Sequence, residues 1–219
     1  MSTYVRPPIE IATYRDADGA PVLYGDRWGD TPPDDQYSQC GHPERFEPIE
    51  IVARALIDHL EHTYDVDRSD DTVGTRTTTT LRPRNDGAVL VLTLSLPGLP
   101  GVDLRAGSRF GESWPDCGCD ACDDDVRFMI DELEQHVLAV VGGGLSEWRS
   151  GPDPSQPIYT DDAGRAVGGE HMSWGLHYAL VRPDGESTDG GSWSSDESEP
   201  VELPMEPHRW AAWPVRSSA

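Results

Sequence analysis

The chain contains no lysine. All 17 of its basic residues are arginine, and asparagine occurs once, at Asn85. This bias reads as a preference for GC-rich codons and carries little chemical information. Positive charge is scarce in any form: 40 acidic residues against 17 basic ones give a formal net charge of −23. Such a surface repels phosphate backbones and anionic lipid, so direct nucleic-acid or membrane binding through long-range electrostatics is disfavoured, while a basic protein partner stays open. No stretch approaches the roughly 18 uninterrupted apolar residues of a membrane span, and residues 1–18 lack a basic segment followed by an apolar run. These absences lead us to expect a soluble cytoplasmic protein. Leu, Ile, Val and Phe together number only 42 of 219 residues, a share that, with this much charge, borders on the disordered class. Order should therefore be local, with apolar segments folding and acidic segments staying loose. The length suits one core rather than two.

Within that frame the sequence predicts a single α+β domain over residues 1–219. Residues 1–41 are rich in Pro, Gly and acids and show no helical period, so they read as an irregular arm laid over a core. Pro43 and Pro48 are suited to a first turn, and Ile49, Val52, Ala53, Leu56, Leu60 and Tyr64 recur at helical steps, which predicts a helix over about residues 44–64. A Thr-dense segment up to Leu81, the turn residues 82–87 and the run 88–96 predict a β-hairpin whose Leu90, Leu92, Leu94 and Leu96 share one face. Val126, Met129, Ile130, Leu133, Val137, Val140 and Val141 mark a second helix ended by Gly142–Gly144, with Asp123, Asp124 and Asp125 read as its caps and first-turn acids. Alternation from Met172 to Leu180 predicts a strand, followed by the turn at Arg182-Pro183-Asp184-Gly185 and a partner strand near Ser192 or Val201. Residues 184–202 hold seven acids and no base, and are expected to form a mobile acidic loop. The expected fold is two amphipathic helices packed on one face of a mostly antiparallel sheet, with irregular N- and C-terminal arms.

Four cysteines are too few for a disulfide-dense secreted scaffold, and three of them crowd into Cys117-Gly118-Cys119-Asp120-Ala121-Cys122. Three soft ligands at this spacing, just before a helix, invite a metal, zinc first. A structural zinc site wants four ligands, and Cys40 and His42 are the candidates for the fourth. They precede the first helix as Cys122 precedes the second, so helices with their N-termini at one end would bring the segments together. Four protein ligands would make the site structural; three plus water would leave a catalytic position. Free thiols or a Cys119–Cys122 redox pair are the alternatives, and the spacing departs from that of iron–sulfur ferredoxins.

Other chemistry is thinner. His171 and His177 share strand parity, with Glu170 nearby, and offer a general acid or base to a metal or thiol enzyme acting at the cysteine loop; a role as polar surface or satisfied core residues is the stronger reading. His59 and His62 have a chelating spacing on the first helix and also read as surface residues. No nucleophile elbow, phosphate loop, zinc-protease helix or dinucleotide fingerprint is present. Aromatics with Arg at residues 24–29 and 209–213 read as anchors, either of the two arms to the core or of an interface. The leading functional expectation is thus a small acidic binding module with zinc at the cysteine loop; an acidic decoy for a basic protein is a further one.

Arg6-Pro7-Pro8-Ile9-Glu10, Tyr24-Gly25-Asp26-Arg27-Trp28-Gly29, Asp116–Asp123 and Ser173-Trp174-Gly175-Leu176-His177 together resemble an uncharacterised family of bacterial proteins with no assigned function. The resemblance spans most of the chain and implies no activity, cofactor or catalytic residue.

Overall fold

The computed structural model describes residues 3–16, 18–29, 31–96, 98–153, 159–160, 166–167, 173–194 and 203–217. The N-terminal segment forms a small ribbon of β1 (Tyr14–Arg15) and β2 (Pro21–Val22), then a 3-10 turn at Asp34–Ser38. A second 3-10 turn, Pro43–Phe46, leads into α1 (Glu47–Thr63). Pro48 in the first turn costs no hydrogen bond there, and Glu47 and Glu50 suit the positive end of the helix. The helical spacing places Ile49, Val52, Ala53, Leu56, Ile57 and Leu60 on one buried stripe. Each such large aliphatic side chain taken out of water contributes roughly 2 kcal/mol.

An antiparallel meander follows: β3 (Val66–Val73), β4 (Arg76–Pro83), β5 (Leu90–Leu96), β6 (Leu99–Ala106) and β7 (Phe110–Trp114), hydrogen-bonded in that order. The predicted hairpin is β4–β5, with Leu81 opposite Leu90. Leu90, Leu92 and Leu94 are buried and face Ala106, Leu104 and Val102 across the ladder to β6, so the leucine face joins the core. That core also takes in α1 and α2 (Val126–Val141), which touch one another.

Beyond α2 lie β8 (Leu145–Asp153), the short β9 (Tyr159–Thr160) and β10 (Ala166–Val167), β11 (Ser173–Val181), β12 (Ser187–Ser194) and β13 (His208–Arg209). Here the structure departs from expectation. The class is α+β, but the main strands divide between two sheets, the meander and a second sheet ordered β12-β11-β8-β13. The cysteine loop and α2 interrupt the chain after β7, and the strands that follow pair among themselves.

The second correction concerns the acidic stretch 184–202. Residues 187–194 are a regular strand paired with β11, and 195–202 lie outside the described residues. Its glycines serve packing. A Cβ at Gly190 would stand 2.5 Å from the Tyr178 hydroxyl, which lies over that position. Main-chain pairing requires no apolar side chains, so an acidic stretch rich in Gly and Ser supplies the partner strand expected near Ser192.

The C-terminal segment returns as a strap. Trp213 is buried and its indole N–H donates to the Ala88 carbonyl at 3.0 Å, while Asn85 donates to the Ala212 carbonyl at 2.8 Å. Glu147 on β8 is fully buried. It accepts from the backbone N–H groups of Ser108, Arg109 and Phe110 in the β6–β7 turn and from Trp210 Nε1 at 2.8 Å. One carboxylate thus ties together both main sheets and the C-terminal strap.

Candidate metal centre

The loop after β7 is shaped by its glycine. Gly118 has φ +73°, and a Cβ there would meet Leu99 Cδ2 at 2.5 Å, so glycine suits the turn between Cys117 and Cys119. That turn gathers three thiols: Cys117 Sγ lies 3.2 Å from Cys119 Sγ and 2.9 Å from Cys122 Sγ, and Cys119 and Cys122 are 3.4 Å apart. The three sulfurs are close enough to share one metal ion, and among the described residues no other cluster of His, Cys, Asp or Glu donors is. Cys117 and Cys122 are exposed, Cys119 half-buried. Sulfur–sulfur hydrogen bonding divides their acidities. The contact with Cys117 pulls the Cys119 thiol below its usual range, whereas Cys117, burial and Cys119 push Cys122 up.

The segment expected to deliver a fourth ligand does lie beside this loop. Asp120 N donates to the Gln39 carbonyl at 2.8 Å, Gly41 N donates to Asp120 Oδ2 at 2.8 Å, and Ala121 N donates to the Gln36 carbonyl at 3.2 Å. Cys40 sits in this stretch, but its thiol stands outside the group formed by the other three sulfurs, and burial raises its pKa. His42 adopts a left-handed φ of 52°, packs its ring on Tyr14 with centroids 4.5 Å apart, and places Nδ1 3.2 Å from Glu44.

Arginine and aromatic residues missed as site builders hold the loop from the other side. Arg27 donates through its backbone N–H to Asp123 Oδ2 at 2.7 Å and through Nε to Asp123 Oδ1, and its NH2 reaches the Asp120 carbonyl at 2.7 Å. Trp28 Nε1 donates to that same carbonyl at 2.8 Å. Arg45, almost fully buried, bonds the Gly41 carbonyl and donates to the Gly118 carbonyl at 3.2 Å. The guanidinium groups of Arg27 and Arg45 each lie on the Tyr24 ring, 4.3 and 4.2 Å from its centroid. Asp123 therefore serves as an anchor for the N-terminal segment. The helix-cap expectation holds for Asp125, which accepts from Arg127 N at 2.9 Å. The only sequence signal for this arrangement was the Arg–aromatic run at residues 24–29.

Between the N-terminal segment and the loop runs an open cleft of roughly 550 Å³ walled by Arg15, Tyr24, Trp28, Gln39, His42 and Asp120. The other histidines have local partners. His59 packs edge-on against Tyr4, His62 Nδ1 lies 2.6 Å from the Asp58 carbonyl, and His177 Nε2 is 3.0 Å from Ser150 Oγ with its ring stacked on Trp148. Glu170 and His171 lie outside the described residues. Among the described residues no helix is long and apolar enough to cross a membrane.

Comparison with known proteins adds a family and no activity. No curated protein matches the chain, and no solved structure matches it. The model of a family of unknown function, DUF6226, matches residues 10–217, nearly the whole chain, and the protein belongs to that family.

Proposed function

We propose that the protein is an interaction module whose cysteine loop is braced by a zinc ion held by Cys117, Cys119 and Cys122. The observation that carries this reading is the convergence of three thiols, 2.9–3.4 Å apart, on one turn. Sulfurs around tetrahedral zinc, about 2.3 Å from the ion, stand about 3.8 Å from one another. Small side-chain rotations bring the observed trio to that spacing. A metal there would fix the backbone contacts of residues 36–41 and, through Asp120 and Asp123, the Arg27–Trp28 segment, so that the adjoining cleft keeps its shape. A net charge of −23 suits a basic protein partner, recognised in a salt-dependent manner.

Hydrogen exchange with and without a chelator tests the brace. Removing zinc should speed exchange in residues 36–42 and 117–123 while leaving α1 and β4–β6 protected. Identical exchange in both states, with metal demonstrably removed, would overturn it.

A further inference from the structure

The zinc reading leaves open what completes the coordination shell, and the packing around the loop bears on that question. Three sulfurs occupy one face of a tetrahedron, and two of the three cysteines are exposed, so the remaining vertex lies toward solvent. Neighbouring side chains stand outside this group and are oriented by other contacts. Asp120 takes the Gly41 N–H and stands among Arg27 and Arg45; Asp123 takes Arg27 twice; the His42 ring is laid on Tyr14 beside Glu44. The Cys40 thiol is not in the convergent group. Among the described residues no fourth donor lies with the three sulfurs.

The local charge then selects the kind of ligand. Zinc with three thiolates already carries one net negative charge. Asp116 and Asp124 flank the loop on its exposed side, and the Arg45 guanidinium acts on Asp124 from the buried side, where it bonds the Gly118 carbonyl. A further anion would enter against both, whereas a neutral donor would not. The neutral donor zinc takes most readily beside thiolates is an imidazole nitrogen.

The geometry points to an open fourth coordination position at Cys117, Cys119 and Cys122 that accepts an exogenous neutral nitrogen ligand of the imidazole class. This inference rests on the metal reading above. Cobalt(II) tests it, because it occupies zinc sites and reports its ligands in the visible spectrum. The cobalt-loaded full-length protein and its Cys40→Ser and His42→Ala variants are titrated with imidazole and, separately, with sodium azide. The expected result is one cobalt per chain in all three proteins, with a saturable band shift on adding imidazole and none with azide at equal concentration. Failure of imidazole to move the bands, loss of the sulfur-to-metal bands on adding it, a response to azide, or loss of cobalt from either variant would overturn the open position alone. A wild-type protein that binds neither cobalt nor zinc would overturn the metal reading as well.

Discussion

Arg27 and Asp123, 96 residues apart, are joined twice: the arginine's backbone N–H donates to one carboxylate oxygen and its Nε to the other. Both side chains are largely buried. The pair docks the N-terminal segment on the residue that follows Cys122, so the order of the cysteine loop and the order of that segment are physically coupled.

Replacing Arg27 by Ala would leave the Asp123 carboxylate without its charged partner in a mostly dry site, a change that costs about 3 kcal/mol. Arg27→Lys keeps the charge but loses the fork geometry and should recover only part of it. Urea unfolding of the three proteins measures the order wild type, Lys, Ala. Equal midpoints for wild type and Arg27→Ala would show that the pair carries no stability.

Glu147 is a second point of coupling. Glu147→Ala would orphan three backbone N–H groups and the Trp210 indole, each at a penalty of roughly 1–3 kcal/mol, whereas Trp210→Phe removes a single hydrogen bond of about 1 kcal/mol. Thermal unfolding should rank Trp210→Phe close to wild type, Glu147→Gln lower and Glu147→Ala lowest. A Glu147→Ala protein as stable as Trp210→Phe would contradict the tie between the sheets.

His136 on α2 is buried between the rings of Phe110 and Trp114. Burial lowers its pKa below 6.5; Glu132 opposes that shift and Arg182 adds to it. The unfolded chain therefore binds this proton more readily, so the histidine's contribution is intact above about pH 6.5 and is lost as pH falls through the folded-state pKa. The melting temperature should fall as the pH is lowered below about 6.5, and His136→Gln, though less stable throughout, should show a shallower fall there. An unchanged slope in the variant would assign the effect to other groups.

How far the sequence foretold this molecule depends on the kind of signal. The α2 periodicity located Val126–Val141, and the leucine alternation located β5 and its buried face, because burial of apolar side chains writes a period into the chain. The cysteine cluster was legible from spacing alone, since five residues of loop cannot carry Cys117 far from Cys122. Elements held by main-chain hydrogen bonds were legible only in outline, as in the partner strand expected near Ser192. β12 has almost no apolar pattern, and the docking of residues 36–41 on the loop uses backbone groups and Asp120. Long-range charge pairs such as Arg27–Asp123 leave no local trace either, and an aspartate before a helix reads as a cap.

Metal content is the most direct test of the proposed centre. Elemental analysis of the purified, tag-free protein under reducing conditions, with Cys117→Ser, Cys119→Ser and Cys122→Ser beside it, should find about one zinc per wild-type chain and a marked loss in each variant. A folded wild-type protein with no stoichiometric metal, or with metal that survives all three substitutions, would contradict the proposed centre.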